Sequence, residues 1–216
     1  MESYRTVNKM ESISIPHFTP QRDGSADSVL THIRSAQSWL KSEREHALAS
    51  LNDIFRAGTA PEQLLNGVYR GELVALDVAP GLTWLAERIA SNWMPWKGKT
   101  FIAVRASGDN IFGRNSLFLA HVFWPLYHDY VNDTPETYRA FTFQTYVAPG
   151  LSDPDRQVLK IDYDLKVNPL WTIRRVLDEL VQVAEGLYMG KAHLKWWWGR
   201  WQLVGYFTLK EIQTRS

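Results

Sequence analysis

The apolar positions of this chain follow two regimes. From Val29 to Phe55 they recur at helical spacing, first as Val29, Ile33, Ala36 and Leu40, then as Ala47, Leu48, Leu51, Ile54 and Phe55. The stripe drifts across the charged run Lys41–His46, which predicts a break or solvated turn between two helical stretches. Asp27 or Ser28 is placed to cap the first, and Gly58 is a natural terminator of the second. Residues 1–24, polar and carrying Pro16, Pro20 and Gly24, read as an extended arm.

Beyond residue 66 the pattern changes to short apolar runs and alternation punctuated by Gly and Pro. Strands are predicted over 68–76, 100–106, 140–147 and 158–167. A closing hairpin, 190–197 and 201–209, turns at Trp198-Gly199-Arg200. Helices are predicted between them. Thr59-Ala-Pro-Glu62 forms a capping box, residues 82–91 read as helix, and Asn168-Pro169 caps a helix that closes at Gly186. In that last segment Leu170, Ile173, Leu177, Leu180 and Ala184 share a face, while Arg174–Asp178 and Arg175–Glu179 lie four apart on the other. The apolar segment Leu117–Val131 has no clean period, and Pro125 argues against a continuous helix there. Strands that come in runs imply an α+β fold built on antiparallel pairing. The expected organisation is an arm over 1–24, a helical segment over 25–66 packed on the sheet, and a β-barrel domain with inserted helices over 67–216.

Composition narrows the function classes. The 216 residues carry 24 basic and 23 acidic side chains with no basic stripe, so a nucleic-acid partner is not expected. The absence of cysteine excludes disulfides, thiolate catalysis and iron–sulfur clusters. His32, His46, His121, His128 and His193 show no metal-ligand spacing, and no phosphate loop, dinucleotide fingerprint or serine-hydrolase elbow occurs. Neither a metal nor another cofactor is expected. The N-terminal residues lack the apolar core of a signal peptide, and no apolar run is long enough for an integral membrane segment. These features predict a cytoplasmic protein; its oligomeric state is not legible.

Ten tryptophans are present, and four of them, Trp196, Trp197, Trp198 and Trp201, fall within six residues. Trp196 and Trp197 have opposite strand parity, so both faces of the last hairpin carry an indole. A plain half-solvated sheet buries one face only. The parity therefore favours a closed barrel with a filled interior and helices packed outside. The alternative is an exposed hairpin tip that docks a protein partner or a membrane surface.

Two segments resemble a known family. Gly67-Val-Tyr69-Arg-Gly71 opens one strand and Trp96-Lys-Gly98-Lys99-Thr-Phe101 opens another. They resemble the small family named for its Gly-x-Trp-x-Gly motif, with Tyr69 at the tryptophan position, and that family is similar to lipocalin-like (calycin) barrels. Gly205-Tyr-Phe207-Thr-Leu209 resembles the terminal strand of such a barrel. The resemblance implies an up-and-down antiparallel barrel whose apolar interior holds a hydrophobic small molecule. It carries over no catalytic residue.

Aromatic residues on the predicted strands, Tyr69, Trp96, Phe101, Phe143, Trp196, Trp201 and Phe207, are the candidate ligand-binding residues. For catalysis, Lys160-Ile-Asp162-Tyr-Asp164-Leu-Lys166 places its charges on one strand face. That face is either solvated or turned toward a pocket, where Asp162 and Asp164 would be general acid–base candidates. Lys191 and His193 on a neighbouring strand could pair with them. Arg105 and Tyr146 could stabilise developing negative charge. The expected function is binding of a lipid-, isoprenoid- or polyketide-like molecule in an aromatic-lined cavity, as a carrier or as a cofactor-independent isomerase, cyclase or hydratase. The alternative is an interaction module docking through the Trp-rich hairpin.

Overall fold

The computed structural model describes residues 25–77 and 96–212. The predicted helix over 82–91 and the arm over 1–24 lie outside them. Helix α1 (Ala26–Trp39) begins at Ser25, whose hydroxyl accepts from the Ser28 amide at 3.3 Å, so the cap falls two residues earlier than Asp27. Helix α2 (Arg44–Ala57) follows the break predicted across the charged run. Gly58 ends it in an extended conformation, not a left-handed one. A β carbon there would press on Val181 and on the Gln182 carbonyl, so glycine is required for close approach to the sheet.

The remainder of the chain is a barrel. Its strands are β1 (Gly67–Leu76), β2 (Trp96–Ile102), β3 (Ser107–Gly113), β5 (Thr137–Pro149), β6 (Gln157–Asp162), β7 (Val176–Ala184), β8 (Leu187–Lys195) and β9 (Trp201–Glu211). Each pairs antiparallel with the next, β3 with β5, and β9 returns to β1, closing eight strands into an up-and-down barrel. The two-residue β4 (Val131–Asn132) lies on β5 before β6 joins it. Closure leaves no barrel edge to be covered. A third helix, α3 (Leu117–Phe123), stops ahead of Pro125, in accord with the restriction proline imposes.

Three predicted elements are corrected. Residues 176–184 are not helical: after a 3-10 turn at Ile173–Arg175 they form β7. Thr59 opens no helix but pairs with Gln182, its amide donating at 3.1 Å and its carbonyl accepting at 2.7 Å. The strand predicted over 100–106 starts earlier, at Trp96, and gives way at Ala103 to a 3-10 turn that carries Arg105. β3 was not foreseen, and β6 stops at Asp162, short of the predicted 167.

Two apolar cores result. Inside the barrel, Tyr69, Phe101, Phe143, Ile161, Leu180 and Leu209 pack together. Outside it, Val29, Ile33, Leu51 and Phe55 of α1 and α2 bury Val74, Val181, Met189 and Tyr206. Strands β7 and β8 are therefore buried on both faces, and their outward charges must be paired. On that outer face Lys160, Glu179 and Lys191 stand side by side across β6, β7 and β8. Lys160 bonds to Glu179, and Lys191 bonds to Asp153 at 2.5 Å and to Asn52 of α2 at 2.7 Å. Arg56 reaches Asp153 from α2, and the Leu151 amide donates to Glu179 at 2.6 Å. The turn between β5 and β6 is thus fastened over the barrel wall by charge. Burial would raise the Asp153 carboxyl, but bonds from Lys191 and Arg56 carry it below the usual carboxylate range.

His193 is buried beside this cluster, its Nε2 4.0 Å from Glu179, with Lys191, Asp178 and Lys160 also acting on it. Burial lowers its pKa below the ordinary 6.5, with Glu179 opposing. The folded chain therefore resists a proton that the unfolded chain accepts below that pH, and stability falls as pH falls through the window beneath 6.5. Urea titrations between about pH 7 and pH 5 should show this loss ahead of the carboxylate limb. His193→Gln should flatten that part of the curve, and an unchanged slope would contradict the buried neutral imidazole.

Candidate ligand-binding cavity

Among the described residues the barrel interior is packed at one end and opens into a cavity at the other. At the filled end Tyr69 meets Phe101 and Tyr188 edge to face, with ring centroids 5.2 and 5.6 Å apart. At the other end, where β1 finishes and β2 begins, lies a cavity of about 710 Å³. Its walls are apolar, from Leu73, Trp96, Phe112, Phe141, Val176, Ala192 and Phe207 among others. Its polar lining is Lys99, Asn110, Tyr163 and Asp178.

These four side chains form one hydrogen-bonded cluster. The Lys99 ammonium donates to Asp178 Oδ2 at 2.8 Å, to Asn110 Oδ1 at 2.9 Å, and to the Tyr163 hydroxyl. Tyr163 donates to Asp178 Oδ2 at 3.1 Å and accepts from Asn110 Nδ2 at 3.0 Å. Trp96 Nε1 donates to Asn110 Oδ1 at 3.1 Å. The Lys99 nitrogen also lies 5.2 to 5.4 Å from the ring centroids of Trp96, Phe143, Tyr163 and Phe207, within cation–π range. Lys99 is only 2% exposed. Burial lowers its pKa below the ordinary 10.5, and the Asp178 charge opposes the shift. Burial and the same carboxylate hold the Tyr163 hydroxyl well above its ordinary value, keeping it protonated. Asp178 Oδ2 accepts two bonds, and Oδ1 has no partner among the described residues.

Local irregularities aim these groups. Strict alternation would put Trp96 and Lys99 on opposite faces of β2. A bulge between Trp96 and Gly98 shifts the register, and both side chains line the cavity. Gly98 has φ 142°, and a β carbon on it would overlap the Tyr69 carbonyl, so the bulge needs glycine. On the facing wall Phe141 has φ 57°, unusual for a residue with a bulky side chain. Its amide donates to the Tyr127 hydroxyl at 2.7 Å, and its carbonyl accepts from Asn110 at 3.2 Å, pinning the strained unit from both sides.

The sequence-predicted residues divide clearly. Trp96 and Phe207 line the cavity; Tyr69, Phe101 and Phe143 lie inside the barrel in the packed core beneath it. Trp196 stacks on Trp198 at 5.0 Å and donates to Gln202, and Trp201 lies under the Lys195 ammonium; both belong to the tip of the last hairpin, and neither lines the cavity. None of the six catalytic candidates lines the cavity. Asp162 accepts from Tyr146 at 3.3 Å and from the Asp164 amide at 2.9 Å, while Asp164 bonds to Arg174 at 2.7 Å. Lys191 and His193 are brought together, but on the outer wall, and Arg105 is exposed. The predicted pairings Arg174–Asp178 and Arg175–Glu179 do not form: Asp178 faces inward to Lys99 and Glu179 outward to Lys160. Trp197 and Trp198 lie in the turn past the end of β8 and are 71% and 62% exposed, so strand parity does not bury them.

Lys99, Asp178, Tyr163 and Asn110 were missed. The only signal for Lys99 was the Trp-x-Gly-Lys segment itself. Asp178 was hidden by the helical reading of β7. Among the described residues no cluster of His, Asp and Glu converges as a metal site. Compared with protein-family models, curated proteins and solved structures, the chain shows no match.

The cluster can offer hydrogen bonds and a full charge to one polar group entering an otherwise apolar space. Asp178 can accept a proton, while the Lys99 ammonium and the Tyr163 hydroxyl can stabilise developing negative charge. Its energetics are testable in the apo protein. Lys99→Met leaves a buried carboxylate unpaired and should cost about 3–5 kcal/mol of unfolding free energy. Adding Asp178→Leu should recover most of that loss. A double variant no more stable than Lys99→Met would contradict a mutually paired buried ion pair.

Proposed function

We propose that the barrel binds a hydrophobic small molecule of lipid, isoprenoid or polyketide type, with one oxygen-bearing end seated on the Lys99–Asp178–Tyr163–Asn110 cluster. The observation that carries this is the asymmetry of the cavity: apolar and aromatic walls with convergent polar groups in one place, the usual make-up of a small-molecule site. Its volume, about 710 Å³, lies within the range of such sites, about 300–1,000 Å³. The up-and-down barrel, together with the Gly-x-Tyr-x-Gly and Trp-x-Gly-Lys segments, supports reading the chain as lipocalin-like.

The same cluster supports conversion of the ligand by cofactor-independent acid–base chemistry of isomerase, cyclase or hydratase type. Asp178 would take the proton, and Lys99 and Tyr163 would steady the charge that forms on the ligand oxygen. This assignment replaces Asp162, Asp164 and His193 as the groups to test, because none of those lines the cavity.

Retinol, an apolar polyene with one hydroxyl, is a suitable probe. Tryptophan-to-retinol energy transfer should report saturable binding. Ala192→Trp, which fills the cavity, should weaken it by at least about tenfold while the circular dichroism spectrum stays native. Unchanged retinol affinity in a folded Ala192→Trp variant would place binding outside the cavity and overturn the reading.

A further inference from the structure

Phe118, Trp171, Trp197 and Trp198 are 77%, 75%, 71% and 62% exposed, and among the described residues no other Phe or Trp is so exposed. They sit on three connections between strands, residues 114–136 (where Phe118 lies on α3), 163–175 and 196–200. All three join strands at the end of the barrel that holds the cavity. The loops touch: Trp124 Nε1 donates to Thr172 Oγ1 at 2.8 Å, and the Arg175 guanidinium lies 5.6 Å from the Trp197 ring centroid. The exposed rings therefore lie along part of the rim at that end and are not scattered single residues.

The charge on the two loops that carry these tryptophans is mostly positive, whereas residues 114–136 hold Asp129, Asp133 and Glu136 against Arg114. Residues 164–175 and 195–201 contain Lys166, Arg174, Arg175, Lys195 and Arg200 against the single acid Asp164, which is bonded to Arg174. Indoles flanked by cations match the interface of an anionic bilayer, where tryptophan sits at headgroup depth and Lys and Arg meet acidic lipid.

We propose that this end of the barrel docks on the surface of an anionic lipid bilayer, with Trp171, Trp197 and Trp198 in the headgroup layer and the cavity mouth facing the lipid. A flat bilayer suits these residues better than a protein partner because the exposed rings are spread over three separate connections and leave no single groove or knob to be matched. The docking stands on the rim itself. Its use, passage of an apolar ligand between bilayer and cavity without crossing water, rests on the binding function proposed above.

The test is co-flotation of the full chain with vesicles of phosphatidylcholine alone and of phosphatidylcholine with about 30% phosphatidylserine. Binding is expected to the acidic vesicles, with a blue shift of tryptophan emission. The combined variant Trp171→Ala/Trp197→Ala/Trp198→Ala should lower the partition coefficient by at least about tenfold. Raising salt to about 1 M should weaken binding as well. Absence of binding to the acidic vesicles would overturn the proposal, as would equal binding by the triple variant. A tryptophan-dependent dimer in sedimentation that leaves vesicles unbound would assign the rim to a second copy of the chain instead. Retinol binding in vesicle-free solution separates the two readings. If the triple variant keeps retinol affinity while losing vesicles, both stand; if the wild type binds retinol but not vesicles, only the docking falls. If it binds vesicles but not retinol, only the cavity reading falls.

Discussion

Lys99, Lys160 and Lys191 are all buried in this barrel, and each ends on a carboxylate. Taking a charge out of water costs several kcal/mol unless a partner of opposite sign and good geometry is waiting. That condition organises the fold around β7, whose adjacent acids Asp178 and Glu179 point to opposite faces. Asp178 meets Lys99 inside the barrel, and Glu179 meets Lys160 outside it. A one-residue slip of β7 would turn both acids away from their lysines, so the pairs specify register as well as satisfy charge. The third pair, Lys191 with Asp153, adds the turn after β5 and, through Arg56 and Asn52, helix α2.

The inner pair also decides where the interior stops being solid. On one side of Lys99 the rings of Phe101, Phe143 and Tyr69 fill the barrel. On the other side the walls stand apart, and the polar cluster faces the cavity. A lysine held by three acceptors and lying over four rings has few conformations left, so the groups offered to a ligand are already in place before it arrives.

Much of the architecture was legible in the chain, and the reasons for the rest are specific. Helical spacing placed α1 and α2, and alternation placed β1 and β5, because each of these has one face of distinct character; the final hairpin was marked by its Trp198-Gly199-Arg200 turn, although β8 is buried on both faces. β7 has none. Both its faces are buried, its two acids are consecutive, and Leu177, Leu180 and Ala184 fit a helical period by coincidence of spacing. Lys99 was obscured by the bulge at Gly98, which overturns parity within β2. The tryptophan cluster pointed to a closed, helix-covered barrel, and the barrel is closed, but Trp197 and Trp198 are not what fills it. Parity fails for residues in a turn. Those indoles carry information about the rim, not the core.

The account turns on the Lys99–Asp178 cluster being the polar end of a ligand site, and a crystal structure of the retinol complex tests this most directly. The prediction is retinol inside the barrel, its hydroxyl within about 3 Å of Asp178 or Lys99 and its polyene along Trp96 and Phe207. Retinol lying on the exposed tryptophans, with the cavity empty and the cluster untouched, would contradict it.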